Sequence, residues 1–335
     1  MATQPAAPTR GEPYAAHRAG ALVHLQDTAR QIMVSVVTSV GNIAYEMKVR
    51  GHDVLRFPFA SVKEFIAKPT GLHGIPLLAP WANRLDGAAF HANSRRYALD
   101  LRLGNVSGPY AIHGFLARTN QWQVLEVIAD AGAAWVTSRL DVGAQPDWMR
   151  QWPFAHRIEM TYRLREGVLE VSTRVTNRAA DPMPVALGYH PYFQLTDSPR
   201  AEWTVKVPAR TRWLLADTKL PTGETEPAER LLPNQTGRLK DMVLDDVFAD
   251  LARDAQGRAT VSVKGRSQQL DIFLGANYRA LVLYAPAGQE FICVEPMAGI
   301  TDAMNLAHRG VYKDLQYVQP GATWQESFWI RPTGF

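Results

Sequence analysis

Apolar and polar residues alternate with a period of two through most of the chain. In RIEMTYRLREGVLEVSTRV, Ile158, Met160, Tyr162 and Leu164 share one face, Glu166 and Gly167 supply turn chemistry, and Leu169, Val171, Thr173 and Val175 resume the alternation. That is the pattern of a β-hairpin with one buried face. ALVLYAPAGQEFICVEP repeats it, with Pro286 to Gln289 as the turn between two apolar runs. IMVSVVTS, NIAYEMKVR, WQVLEVIA, AAWVTSRLDV, WTVKVP, ATVSVKG, QLDIFLG and TWQESFWIRP read as further strands, and only short pieces such as SVKEFIA suit a turn or two of helix.

Many short strands separated by Gly, Pro, Asn and Asp clusters predict an all-β protein, a sandwich or barrel. No interior linker or solenoid-period repeat interrupts the pattern. The longest polar stretch, PTGETEPAERLLPNQTGRLKD at 221 to 241, is expected as a surface excursion. Residues 1 to 30, with Pro, Gly and charges spread through them, read as a flexible leader without the apolar segment of a signal peptide, and residues 31 to 335 as a single domain.

Composition narrows the function. Apolar content of 46% and charged content of 20% are those of a globular protein. The formal net charge is +4, from 36 basic and 32 acidic side chains without a basic block, so no nucleic-acid partner is expected. Nowhere do 18 or more apolar residues run together, so no membrane partner is expected either. One cysteine, Cys293, leaves no intrachain disulfide framework, and the expected location is cytoplasmic.

Five stretches combine polar groups with turn chemistry: GIPLLAPWANRLDG, YAIHGF, LGYHPYFQL, LDDVF and VEPMAGITDAMN. No glycine-rich phosphate loop, nucleotide fingerprint or serine elbow accompanies them. Each has a bland reading. Asn83-Arg84 suits a turn with a surface ion pair, His113 a loop, His190 a half-buried core histidine, and Asp245-Asp246 an Asx turn or helix cap. Glu295 ends the apolar run FICV and precedes Pro296, where a strand gives way to a loop and a carboxylate can be held rigidly.

Together, the motifs resemble the aldose 1-epimerase (mutarotase) family. Its Asn-Arg, His-Gly, His-Pro-Tyr-Phe-Asn-Leu, Asp-rich and late-glutamate motifs occur here, in order, as Asn83-Arg84, His113-Gly114, His190-Pro191-Tyr192-Phe193-Gln194-Leu195, Asp245-Asp246-Val247-Phe248, and Glu295 followed by Asp302-Ala303-Met304-Asn305, over roughly residues 35 to 332. The resemblance implies a large antiparallel β-supersandwich with few short helices and a sugar cleft across one sheet. It implies Glu295 as general base, His190 as general acid, and Asn83, Arg84, His113 and Asp245 as substrate-binding groups. The implied substrate is a free aldose, a hexose by expectation, with no cofactor or metal, acted on by a monomer or homodimer.

Mutarotation needs a proton removed from the anomeric hydroxyl while another reaches the ring oxygen, which a carboxylate and an imidazolium supply. Nearby opposite charges would leave Glu295 and His190 charged in opposite senses before substrate arrives. Trp81, Tyr189, Tyr192 and Phe193 are candidates for an apolar wall behind the sugar. Gln194, Phe115 and Ile300-Thr301 depart from the family pattern and bear on specificity. The rival readings are a non-catalytic carbohydrate-binding protein of the same fold, a glycosidase using Asp245 and Glu295, and a metal site drawn from His113, His190 and a carboxylate.

Overall fold

The computed structural model describes residues 12 to 102 and 104 to 335. Three antiparallel sheets dominate it. A nine-stranded sheet runs in the order Gln123–Ala129, Ala134–Asp141, His156–Arg165, Val168–Asn177, Thr323–Thr333, Gln269–Leu274, Ala259–Lys264, Thr204–Lys206, Thr236–Arg238. Across the core lies an eight-stranded sheet. It runs Pro221–Pro227, Ala209–Leu215, Leu244–Leu251, Ala280–Ala285, Ile292–Met297, Gly188–Tyr189, Leu77–Leu78, with Tyr192–Phe193 also paired to Ile292–Met297. Among the described residues the α-helices are Val62–Ala67, Pro146–Gln151 and Ala303–His308, six residues each. The all-β expectation therefore holds, and none of these helices is long and apolar enough to cross a membrane.

The predicted hairpin forms as read. Arg165 pairs with Val168, leaving Glu166 and Gly167 as a two-residue turn with φ of 51° and 79°, the left-handed pair that matches the twist of the flanking strands. Ile158, Met160, Tyr162, Leu164, Leu169, Val171 and Val175 are all buried in the main core. They meet Leu281, Leu283, Ile292 and Val294 of the eight-stranded sheet in the same cluster, the interdigitation that drives a sandwich together. Tyr162 and Tyr189 cross this core with their hydroxyls satisfied, Tyr162 donating to Asn42 O at 3.0 Å and Tyr189 meeting Thr173 Oγ1 at 2.5 Å.

Structure begins earlier than the sequence led us to expect. Tyr14–Ala19 and Leu22–Asp27, inside the stretch read as a flexible leader, are the first two strands of a five-stranded sheet completed by Ile32–Val37, Ile43–Val49 and His52–Asp53. Tyr14, Val23 and Leu25 are buried. Polar contacts pin this hairpin to the 166–167 turn: the Glu166 amide donates to Tyr14 Oη at 2.8 Å and the Gly167 amide to Asp27 Oδ2 at 3.1 Å. Residues 1 to 11 lie outside the described residues. The polar stretch at 221 to 241 also contributes structure, as strand Pro221–Pro227 at one edge of the eight-stranded sheet and Thr236–Arg238 at one edge of the nine-stranded sheet.

Candidate active site

Strand alternation decides which side chains face the cavity. On Ile292–Met297, Ile292 and Val294 point into the main core, so Cys293 and Glu295 point to the opposite face of the sheet. The register then lines up neighbours. Asp245 sits opposite Tyr284, Tyr284 opposite Cys293, and Cys293 opposite Tyr192, a row across four strands, with Glu295 two residues along from Cys293. His190 lies between the short strands Gly188–Tyr189 and Tyr192–Phe193, its amide donating to Pro76 O at 3.2 Å.

The six residues singled out in the sequence line one cavity. Asn83, Arg84, His113, His190, Asp245 and Glu295 surround about 210 Å³ together with Leu72, Ile112, Tyr192 and Tyr284. His190 Nε2 lies 3.2 Å from Glu295 Oε1. The His190 ring stacks on Tyr192, centroids 4.7 Å apart and planes 12° apart, and meets His113 edge-on at 5.5 Å.

Backbone geometry fixes the histidine and arginine that face the pair. Asn83 and His113 both adopt left-handed φ, 60° and 58°, an uncommon state that their mutual bonds hold in place. The His113 amide donates to Asn83 O at 3.0 Å, and the Asn83 amide donates to His113 Nδ1 at 3.1 Å. Burial, with His190 and Arg84 adding to it, pushes His113 well below the usual imidazole range. The ring is therefore neutral, accepts at Nδ1 and carries its proton on Nε2, a fixed hydrogen-bond donor. Gly114 follows at φ 57°, and a Cβ there would collide with the Ala79 carbonyl. We predict that Gly114→Ala costs on the order of 3 kcal/mol, measured as a lower urea midpoint. A wild-type midpoint would mean that the 79–80 segment gives way freely.

Electrostatics correct one sequence expectation. His190 and Glu295 are both buried, 7% and 1% exposed, and burial disfavours the charged form of each. Desolvation lowers His190 to about 3. It raises Glu295 well above the carboxylate range, Asp245 pushing the same way and Arg84 opposing. Desolvation thus pushes both groups toward their neutral forms, a carboxylic acid beside an imidazole, against the opposite charges the sequence suggests. Asp245, half-buried, is also raised by desolvation against the pull of Arg84 and Lys219.

The aromatic candidates separate. Only Tyr192 lines the cavity, whereas Trp81, Tyr189 and Phe193 are 3%, 0% and 0% exposed and belong to the core. Tyr284 was missed. Its signal lay in the alternation of ALVLYA together with the pairing partner Asp245, and that partner is set by the fold. Leu72 and Ile112 carried no legible signal. The family departures stand back from the cavity: Phe115 packs edge-on against Trp81 at 5.9 Å, Ile300 and Thr301 are buried, and Gln194 borders a separate groove. Among the described residues no three His, Cys, Asp or Glu side chains converge as a metal-ligand set.

The buried carboxyl of Glu295 and imidazole of His190 thus meet in a cavity that also presents Arg84, His113 and Asp245. The aldose 1-epimerase family model matches residues 23–331, and the chain belongs to that family. Among curated proteins it is 26% identical over 251 residues to the uncharacterised protein YphB of Escherichia coli K12, covering 73% of this chain and 78% of that one. Among solved structures it resembles a galactose mutarotase-like protein of Clostridium acetobutylicum, with TM-score 0.83, 19% identity, and 96% and 98% of the two chains covered. It also resembles galactose 1-epimerase of Lactobacillus acidophilus, with TM-score 0.74, 15% identity, and 96% and 98% covered. At these identities the structural likeness speaks for the fold.

Proposed function

We propose that the protein is an aldose 1-epimerase that interconverts the α and β anomers of a free aldose. The observation that carries this reading is the 3.2 Å approach of His190 Nε2 to Glu295 Oε1 in a cavity that also presents Arg84, His113 and Asp245. Opening a cyclic aldose requires one group to take the proton of the anomeric hydroxyl while another protonates the ring oxygen, and a carboxyl beside an imidazole does both. At about 210 Å³, the cavity falls below the roughly 300–1,000 Å³ of sites for drug-sized ligands and suits one sugar ring.

Proton accounting gives the neutral pair a role. Transfer of the pair's one proton from Glu295 to His190 across their 3.2 Å contact gives the carboxylate and imidazolium that act on cyclic sugar. Glu295 takes the anomeric proton, His190 protonates the ring oxygen, the bond from that oxygen to the anomeric carbon breaks, and the aldehyde forms. Glu295 is then a neutral acid and His190 a neutral imidazole, the state that burial favours. Desolvation thus lowers the free energy of the open-chain stage relative to the charged one. The aldehyde rotates about the adjacent bond, and the steps run backward onto its other face. His113, as a fixed Nε2–H donor, and Arg84 hold sugar oxygens through the cycle.

The test is polarimetry. Purified protein is expected to speed the change in optical rotation of freshly dissolved α-glucose or α-galactose, and a panel of free aldoses ranks substrates. No acceleration with any aldose would discard the reading. Because Asp245 and Glu295 share the cavity, the panel includes chromogenic glycosides, whose hydrolysis would favour a glycosidase. Sugar binding without either activity would favour a non-catalytic carbohydrate-binding protein.

A further inference from the structure

Arg84 presents its guanidinium to the cavity, yet its only side-chain hydrogen bond among the described residues is to Asn83 Oδ1 at 3.4 Å. Its position therefore depends on its backbone. The Arg84 amide donates to Asn83 Oδ1 at 3.0 Å, and the Arg84 carbonyl accepts from the Asp302 amide at 3.0 Å. From the same residue, Asp302 Oδ1 accepts the Asp86 amide at 3.0 Å. One residue thus grips the chain on both sides of Leu85.

Asp302 is itself held. It is 1% exposed and adopts a left-handed φ of 56° at the start of helix Ala303–His308. Its carboxylate accepts from Asn305 Nδ2 at 2.7 Å and from Arg309 Nη2 at 3.1 Å. Asn305 Nδ2 also donates to Ala89 O at 3.2 Å, and Arg309 Nη1 lies 3.5 Å from Asp86 Oδ2. The segment from 84 to 89 is clamped to the helix along its length, with Asp302 as the central fastening.

Resting on the epimerase reading, we infer that Asp302 is a positioning residue for the reaction: its carboxylate and amide set the segment that carries Arg84, and so where the guanidinium meets the sugar. A displacement near 1 Å at such a contact costs about 100-fold in rate.

A pH signature follows. Burial raises the Asp302 carboxyl to about 6, against the lowering effects of the Asp86 amide, Asn305 and Arg309, while the Asp86 charge raises it further. The other titratable groups against this clamp are His91, bonded through Nδ1 to Asn305 Oδ1 at 3.0 Å, and His308, stacked on His91 at 4.1 Å. Below pH 6 the carboxyl gains a proton, weakens its hold on Arg309 and the Asp86 amide, and frees Arg84.

A double-mutant cycle tests this, because a merely structural residue would lose activity to the same degree whether or not Arg84 is present. Asp302→Asn in the wild-type background is expected to lower kcat/KM about 10- to 100-fold at pH 7.5 and to flatten the fall in kcat/KM below pH 6. In the Arg84→Ala background the same change is expected to cost under about 3-fold. Equal losses in both backgrounds, or an unchanged acid limb, would overturn the inference. If Asp302→Asn does not fold, Arg309→Gln takes its place in the cycle, with the acid limb expected to move to higher pH. Should wild-type protein fail to accelerate any mutarotation, the epimerase reading falls by itself. The clamp is then judged on the Asp86 amide, whose hydrogen-exchange protection is expected to drop through pH 6 in wild-type protein and to stay level in Asp302→Asn.

Discussion

Glu295→Gln is expected to slow anomer interconversion by about two to four powers of ten, the range for removing a general acid or base, and at the same time to make the protein more stable. Gln fills the same space but cannot accept the anomeric proton. The stability gain follows from burial. Glu295 is 1% exposed, and its carboxyl titrates well above the ordinary value of 4.5. Between the unfolded and folded pKa values the folded state binds more protons, so wild-type stability falls as pH rises above 4.5. Gln carries no such slope. Urea midpoints of the two proteins should therefore diverge from pH 5 to pH 8, the variant above. Parallel midpoints would show that the carboxyl ionises freely in the folded protein, and full activity would remove Glu295 from the mechanism.

His190→Asn is expected to lose activity on the same scale, with a stability profile of opposite sense. The imidazole is 7% exposed and lowered by desolvation from 6.5 to about 3. As pH falls below 6.5 the unfolded chain takes up a proton that the folded one refuses, so wild-type stability is full above 6.5. It declines toward pH 3 by up to about 1.4 kcal/mol per pH unit from this group. Asn removes that decline. Relative to wild type, the variant's midpoint is expected to rise from pH 7.5 to pH 4.5, measured at both values. A difference between variant and wild-type midpoints that is the same at pH 7.5 and pH 4.5 would place a charged imidazolium in the folded site, the arrangement the sequence suggests.

The contrast between that expectation and the neutral pair locates the limit of reading charge from sequence. Glu295 and His190 were legible as residue types in suggestive surroundings, one at the end of FICV and the other among aromatics. Their state depends on how much water the folded chain leaves around them, and 105 positions of sequence separate the two. Tyr284 illustrates the same point for the wall of the site. It reads as one residue of an apolar strand until register sets it between Asp245 and Cys293. Trp81, Tyr189 and Phe193 show the converse, since aromatic character fits core and cleft alike.

Local pattern by itself determined the strands, because period-two alternation maps directly onto the two faces of a sheet and one face of each had to be buried. It determined the 166–167 turn, where Glu-Gly permits the left-handed pair observed. Through motif order it also singled out six residues that line one cavity. It did not determine that Tyr14–Ala19 and Leu22–Asp27 are strands, because their order depends on a distant turn donating amides to Tyr14 and Asp27. Tertiary structure alone decided strand order, the 3.2 Å meeting of His190 with Glu295 and the clamp of Asp302 on the Arg84 segment. These are contacts between residues far apart in the chain, and their energies come from desolvation and hydrogen bonds that do not exist until the sheets have closed.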